Sequence, residues 1–298
     1  MTNKFEKKTR ETFHDLHISQ SRVGSYERLV QMLTPDYLME DGDFFENKTC
    51  LDAGCGSNAN ATYSMLHHGA KMVYAFDLDE TFIKTASEHL REFNNRYCLE
   101  AGNVLEMRYA DESFDFVHCC GVLHHTADPS KGLAELARVT KKGGQLYILM
   151  YGKGGITRDI TSLLREKYNT DEEFNKFIDN LNMEYIHQIV EFILLTMKEN
   201  NDPFFSKHSI KPLMQLLDED LVLTIKDRIT APAYHEHSEE ELRRALSALG
   251  FEKIQRLVRY PKIRNLRRFL SPFYHKYDTD ISKMLYGSGV IQLKAVKN

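Results

Sequence analysis

Tryptophan is absent from the 298 residues, and the five cysteines form no C-x-x-C pair. The chain therefore lacks the paired spacing of a zinc ribbon and the regular spacing of a small disulfide-bonded domain. We expect reduced, buried thiols, no metal site and a cytoplasmic location.

Strong charge and long apolar runs are also missing. The formal net charge is −4, which predicts no bulk attraction to nucleic acid or to an anionic membrane. The longest apolar stretch, YIHQIVEFILLTM, is interrupted by polar side chains and is shorter than the roughly 20 residues that cross a bilayer. The basic start has no apolar signal core behind it. We expect a soluble chain without a membrane span.

Short apolar runs alternate with amphipathic helical patterns between residues 49 and 155. TCLDAGCG and KMVYAFDLD read as strands, and NATYSMLHHGA and ETFIKTASEHLREFN read as helices. This alternation predicts an α/β fold with a parallel sheet covered by helices on both faces. It returns with SEEELRRALSALG, where Ser238 and Glu241 have capping-box spacing, and with two final strands, FEKIQRLVRY and GVIQLKAVK.

The turn LDAGCGSNANA, residues 51–61, follows the first of these strands. Gly54 to Ala59 fits the G-x-G-x-x-A pattern of dinucleotide sites, and Asp77 is placed to hold a ribose hydroxyl. This pair alone permits a nicotinamide enzyme. Asp52, at the end of the strand, would repel a pyrophosphate and suits a ligand that carries a positive amino group.

Four motifs follow one another in order: LDAGCGSN, VYAFDLDETFIKTA, AGNVLEMRYADESFDFVHCCGVLHHTADP and LAELARVTKKGGQLYILMYG. Together they resemble class I S-adenosylmethionine-dependent methyltransferases, in the group that includes ubiquinone and menaquinone biosynthesis enzymes. The resemblance implies a Rossmann-like, mostly parallel seven-stranded sheet with a reversed C-terminal hairpin and an inserted helical cap. It also implies S-adenosyl-L-methionine as cofactor and S-adenosyl-L-homocysteine as product.

The resemblance assigns one set of residues to the methionine and ribose parts of the cofactor. Asp52 and the backbone of Gly54, Cys55 and Gly56 would line the methionine end. Asp77 would bind both ribose hydroxyls.

A second set would surround the adenine. Leu78 would pack on the ring, and Asn103 and Val104 would meet its edge, while Cys120 would offer a backbone contact near the amino-acid portion. The family usually has Asp where Asn103 stands, but an amide can still pair with adenine. It often has glycine where Asn58 stands, and asparagine tolerates the left-handed conformation that we expect there.

With this resemblance the chain divides into four parts. They are an N-terminal helical segment (1–48), an S-adenosylmethionine-binding core (49–155), a helical cap insertion (156–233) and a C-terminal part of the core (234–298) with a basic insertion between its strands.

Catalytic residues are hard to identify from the sequence, because methyl transfer from a sulfonium depends mainly on the orientation of the acceptor and on a closed site. Candidates lie past the carboxyl ends of the strands, where an imidazole could act as a base near neutral pH. For His124 and His125 we favour a structural role that orients the loop. For the histidines before the last core helix, a solvated position at the helix start is the alternative. The catalytic candidates are His124, His125, Tyr234, His235 and His237, and Tyr151 is a candidate for substrate binding.

The cap and the basic insertion suggest partners. The apolar helix of the cap predicts internal packing or a homodimer interface, with a lid on an apolar pocket as the alternative. Residues 253–276 interleave Lys and Arg with Phe and Tyr. Arg264 and Arg267 are candidates to bind an anionic small molecule, while nucleic-acid binding and a solvated helix face are alternatives.

The sequence thus predicts a methyltransferase that acts on a small molecule. A methyltransferase acting on RNA or protein is the second interpretation. A nicotinamide-binding or non-catalytic cofactor-binding module is the third.

Overall fold

The alternation of strands and helices forms one seven-stranded sheet in the computed structural model, which describes residues 4–18, 33–199, 219–257 and 279–298. The strands are β1 (Thr49–Ala53), β2 (Met72–Asp77), β3 (Tyr97–Ala101), β4 (Phe114–Cys120), β5 (Thr140–Tyr151), β6 (Phe251–Arg256) and β7 (Val290–Lys297). Their order is β3-β2-β1-β4-β5-β7-β6, with β1 to β5 parallel and β7 antiparallel to both neighbours. The predicted fold and its reversed C-terminal hairpin are confirmed.

The described helices fall into two compact units. The sheet unit comprises Met1–Lys153, Pro232–Arg259 and Gly287–Asn298, and the helical unit comprises Gly154–Ala231 and Tyr260–Tyr286. The helices are α1 (Lys4–Ile18), α2 (Pro35–Leu38), α3 (Asn60–His67), α4 (Phe82–Leu90), α5 (Pro129–Val139), α6 (Ile156–Thr170), α7 (Glu172–Asn180), α8 (Met183–Glu199), α9 (Glu219–Thr230), α10 (Glu239–Ala248) and α11 (Asp280–Tyr286). Helices α6 to α9 and α11 belong to the helical unit. Within the described ranges, no helix is long and apolar enough to cross a membrane.

Both faces of the sheet are buried, as the near-continuous apolar strands require. Successive residues Cys50 and Leu51 of β1 point to opposite faces and are both 0% exposed. Cys50 packs in one cluster with Phe116, and Leu51 packs in a second cluster with Val117. All five cysteines are free thiols. With both faces covered, a ligand can reach only the ends of the strands, and in open α/β sheets binding sites form at the carboxyl ends.

The predicted capping box begins α10. Ser238 Oγ accepts from Glu241 N at 3.1 Å, and Glu241 Oε2 accepts from Ser238 N at 2.8 Å. We expect Ser238→Ala to lower the free energy of unfolding by about 1 kcal/mol, because the helix loses its side-chain acceptor. Urea denaturation measures the loss. Ser247→Ala, an exposed change near the end of the same helix, is the control and should leave the midpoint in place.

Candidate functional site

The glycine turn after β1 is built so closely that one of its glycines leaves no room for a side chain. Gly54 and Gly56 have φ of 80° and 63°, and the Gly54 and Cys55 N–H groups donate to Phe76 O at 2.9 and 3.0 Å. A Cβ on Gly54 would lie 2.3 Å from Cγ2 of Val122, whereas one on Gly56 would meet no atom within 4 Å. The turn is therefore bonded to the end of β2 through Gly54 and Cys55. On the side where a Gly56 Cβ would project, the space is open.

The expectation for Asn58 is wrong. Its φ is not positive; the left-handed residue is Ala59, with φ 46° and ψ 44°. Ala59 is the N-cap of α3, where the chain must change direction to enter the helix, and it offers no side-chain cap. Alanine in this conformation costs about 1–2 kcal/mol, so tertiary contacts must hold it there.

The start of α3 is also held by Asp52, whose side chain is 1% exposed. Its Oδ2 accepts from Thr62 N at 3.0 Å and from Thr62 Oγ1 at 2.7 Å, and its Oδ1 accepts from His118 Nδ1 at 2.9 Å. Asp52 thus supplies the acceptor for the first turn of α3 that Ala59 cannot provide. A direct contact with a ligand's amino group, which the resemblance implies, stays a prediction.

Asp77 joins the second strand end to the glycine turn. Its Oδ2 accepts from Gly56 N at 2.9 Å, and its Oδ1 accepts from Asp79 N at 3.0 Å. The side chain is half-buried, as is that of Leu78 beside it. The fold therefore brings together the two features that the sequence placed about 20 residues apart, as in dinucleotide sites. Ribose binding by Asp77 stays a prediction.

Helix α1 lies along the ends of these strands. Asn103 Nδ2, just after β3, donates to Glu6 Oε1 at 2.8 Å. Just after β2, Asp79 Oδ2 bonds with His14 Nδ1 at 2.6 Å. The Phe13 ring lies 4.9 Å from that of His125 beyond β4.

Sequence reasoning gave α1 no part in the site. Its signal was available, since residues 6, 13 and 14 share one helical face at seven- and eight-residue spacing. Val104, predicted to meet adenine, is 5% exposed and packs in the Leu51 cluster, and Cys120 at the end of β4 is half-buried.

Four of the predicted catalytic and substrate residues form an aromatic cluster beyond β4 and β5. His124 is 0% and His125 4% exposed. The ring of His124 stacks on that of Tyr151 with 3.8 Å between the ring centroids. The centroids of the Tyr151 and Tyr234 rings lie 5.3 Å apart. His125 Nδ1 bonds with Ala233 O at 3.0 Å, so the loop after β4 is tied to the segment before α10.

The two remaining histidines are tied to the same edge. His235 Nε2 bonds with Thr126 O at 3.1 Å, and His237 N donates to Tyr151 O at 2.9 Å. Burial lowers the pKa of His237, so its ring is neutral at pH 7 and can accept a proton. Within the described ranges, no group of three or more His, Cys, Asp or Glu could hold a metal. Arg264 and Arg267 lie outside the described residues.

His118 is a buried polar residue of this site that sequence reasoning missed. It is the β4 partner of Asp52 in the sheet register. Its ring stacks on that of Tyr147, with 5.3 Å between the ring centroids and an angle of 15° between the ring planes. The available signal was an imidazole inside the apolar run FDFVHCC. Its meaning depends on β1 and β4 being neighbours, which the run itself does not state.

Comparisons with known proteins point to one family. The family described as a methyltransferase domain matches residues 51–148. A ubiquinone/menaquinone biosynthesis C-methyltransferase of Bdellovibrio bacteriovorus is 39% identical over 106 residues, 36% of this chain and 45% of that enzyme. Phosphoethanolamine N-methyltransferase 2 of Caenorhabditis elegans is 32% identical over 114 residues, 38% of this chain and 26% of that enzyme. The matched part thus spans less than half the length of either relative.

A solved structure resembles the chain over its length. The 1,6-didemethyltoxoflavin-N1-methyltransferase of Burkholderia thailandensis aligns with 100% of this chain and 92% of its own, with a TM-score of 0.53 and 15% identity. At this identity the likeness concerns the fold alone. It extends beyond the matched motifs.

Proposed function

We propose that this chain, whose residues 51–148 match a methyltransferase domain, is a class I S-adenosylmethionine-dependent enzyme that methylates a small-molecule acceptor. The helical insertion after β5 would cap the acceptor pocket, as the sequence predicts. The cofactor would be S-adenosyl-L-methionine, which supplies an electrophilic methyl group on a sulfonium.

The observation that carries the proposal is the contact between the glycine turn and the end of β2 at the carboxyl edge of the sheet. Asp77 Oδ2 accepts from Gly56 N at 2.9 Å, and a Cβ on Gly56 or on Gly121 would meet no atom within 4 Å. Two adjacent strand ends thus offer a carboxylate for ribose hydroxyls and open backbone for close approach. A nucleoside ligand fits this arrangement.

A small acceptor is favoured over a macromolecule on two grounds. Two of the relatives have names that refer to small molecules: one is a phosphoethanolamine N-methyltransferase and the other a C-methyltransferase of ubiquinone/menaquinone biosynthesis. The net charge of −4 does not favour a polyanion such as RNA. An anionic acceptor, and a homodimer, remain predictions from the sequence.

The chain's own residues would chiefly orient the acceptor and exclude water. S-adenosyl-L-methionine, held by Asp77 and the glycine turn, would supply the methyl group to the acceptor atom, and the electron pair of the carbon–sulfur bond would remain on sulfur. Where the acceptor must lose a proton, the neutral His237 ring is the base that we propose, with the His124–Tyr151 stack forming one wall of the site.

Calorimetry followed by transfer assays tests the proposal. We expect saturable binding of S-adenosyl-L-methionine, no binding of NAD, and transfer of labelled methyl to a compound in a deproteinised cell extract. Binding of NAD alone would contradict the cofactor. Label found only on RNA or protein, or saturable binding with no transfer to any fraction, would contradict the small-molecule acceptor.

A further inference from the structure

The buried pair of Asp52 and His118 takes no part in the transfer step proposed above, and it lies beside the glycine turn. The two residues are 66 positions apart and meet because β1 and β4 are neighbours. Both side chains are nearly inaccessible, at 1% and 9% exposure. An ion pair taken from water at this depth costs free energy of desolvation that an apolar pair would not.

The contacts of the pair lead directly to the glycine turn. Asp52 Oδ1 is occupied by His118, which leaves Oδ2 to accept both hydrogen bonds from Thr62 at the start of α3. The intervening turn contains Ala59 in its left-handed conformation without a side-chain cap. Rotation of the Asp52 carboxylate would release Thr62, and with it the start of α3.

We propose that His118 is a positioning residue for the cofactor site, which holds Asp52 in the orientation that fixes α3 and the glycine turn. The inference rests on the proposed function, because that function makes the turn part of the cofactor site. His118 acts through Asp52, and no contact between His118 and cofactor is needed.

The charge of His118 gives this role a pH signature. Burial lowers its pKa, but hydrogen bonds and charge interactions with Asp52 and Cys120 outweigh burial and raise it from 6.5 to about 9. The titratable groups that face it are Asp52 on β1, Cys120 on β4 and Tyr147 on β5. The contribution of protonated His118 to the stability of the fold is therefore fully present below pH 6.5 and is lost as pH rises through about 9.

The decisive experiment compares three variants with wild type by calorimetry with S-adenosyl-L-methionine between pH 7 and 10. His118→Leu removes the hydrogen-bond donor and leaves the buried Oδ1 of Asp52 without this partner. His118→Asn keeps a neutral N–H donor at the place of Nδ1 and does not titrate. Tyr147→Phe, the control, keeps the ring under His118 but removes the hydroxyl that donates to Gln292 Oε1 at 2.8 Å.

We expect His118→Leu to weaken binding at pH 7 by about 10-fold or more, because a hydrogen bond to a buried charge is lost. His118→Asn, which keeps an N–H donor but carries no charge, should bind about 10-fold more weakly than wild type at pH 7. At pH 10, where the wild-type His118 ring is neutral, the two should bind about equally. Between pH 7 and 10 wild type should lose about 10-fold more affinity than His118→Asn. The ligand's own amino group, which titrates near pH 8, contributes equally to both. Tyr147→Phe should lower thermal stability without changing affinity.

The outcomes separate the two claims. If wild type does not bind S-adenosyl-L-methionine, the proposed function fails. If wild type binds and a folded His118→Leu binds equally well, the positioning role fails while the function stands. Should His118→Leu not fold, the pH profile of His118→Asn decides, and a slope equal to that of wild type would overturn the inference.

Discussion

Gly54→Ala is expected to abolish cofactor binding and to lower the free energy of unfolding by about 2–4 kcal/mol. The new Cβ would stand 2.3 Å from Cγ2 of Val122, at a residue with φ of 80°. Val122 has a short, stiff side chain that cannot turn aside at low cost. Either the loop after β4 or the glycine turn must move, and both border the proposed cofactor site. Calorimetry and a thermal melt measure the two effects.

Gly143→Ala is the matched control for this change. Gly143 also has a positive φ, 73°, but a Cβ there would meet no atom within 4 Å. It should cost about 1 kcal/mol from backbone strain and leave cofactor affinity unchanged. Equal loss of affinity in both variants would mean that backbone strain, and not the contact with Val122, controls the site.

Asp77→Ala is expected to weaken S-adenosyl-L-methionine binding by about 100-fold or more. The carboxylate accepts from Gly56 N and Asp79 N, so its removal frees the turn and also deletes the acceptor proposed for the ribose hydroxyls. Two hydrogen bonds to a charged group account for a loss of this size. Equilibrium titration with the cofactor measures it.

Asp115→Ala serves as its control. Asp115 Oδ2 accepts from Thr49 N at 2.8 Å, and Oδ1 accepts from Lys141 Nζ at 2.8 Å, at the amino ends of β4 and β1. The variant loses a carboxylate with similar hydrogen bonds at the opposite edge of the sheet. The free energy of unfolding should therefore fall, while the affinity for S-adenosyl-L-methionine stays unchanged. An Asp77→Ala variant that binds no more weakly than Asp115→Ala would remove Asp77 from the cofactor site.

The motifs that resemble methyltransferases occupy the region in which sequence and structure agree most closely. Each strand and helix there is encoded by a pattern a few residues long, and Ser238 and Glu241 mark the start of α10 by themselves. The predicted pairing of the glycine turn with Asp77 also follows locally, because the carboxyl ends of adjacent parallel strands meet at one edge.

The departures concern residues whose role depends on distant partners. Asn58 appeared suited to the left-handed position by its chemistry, but the start of α3 places that conformation on Ala59. His118 acquires its partner only because β4 lies beside β1, and α1 reaches the site only through tertiary packing.

The amino-acid sequence alone determined the succession of strands and helices along the chain, the glycine turn and the acidic residue that follows it. Hydrophobic periodicity, helix capping and the conformational freedom of glycine all act over a few residues. Tertiary structure alone decided that Asp52 faces His118 and Thr62, and that α1 borders Asn103 and Asp79. Those contacts join residues far apart in the chain. Their formation depends on strand order and on burial, which no short pattern encodes.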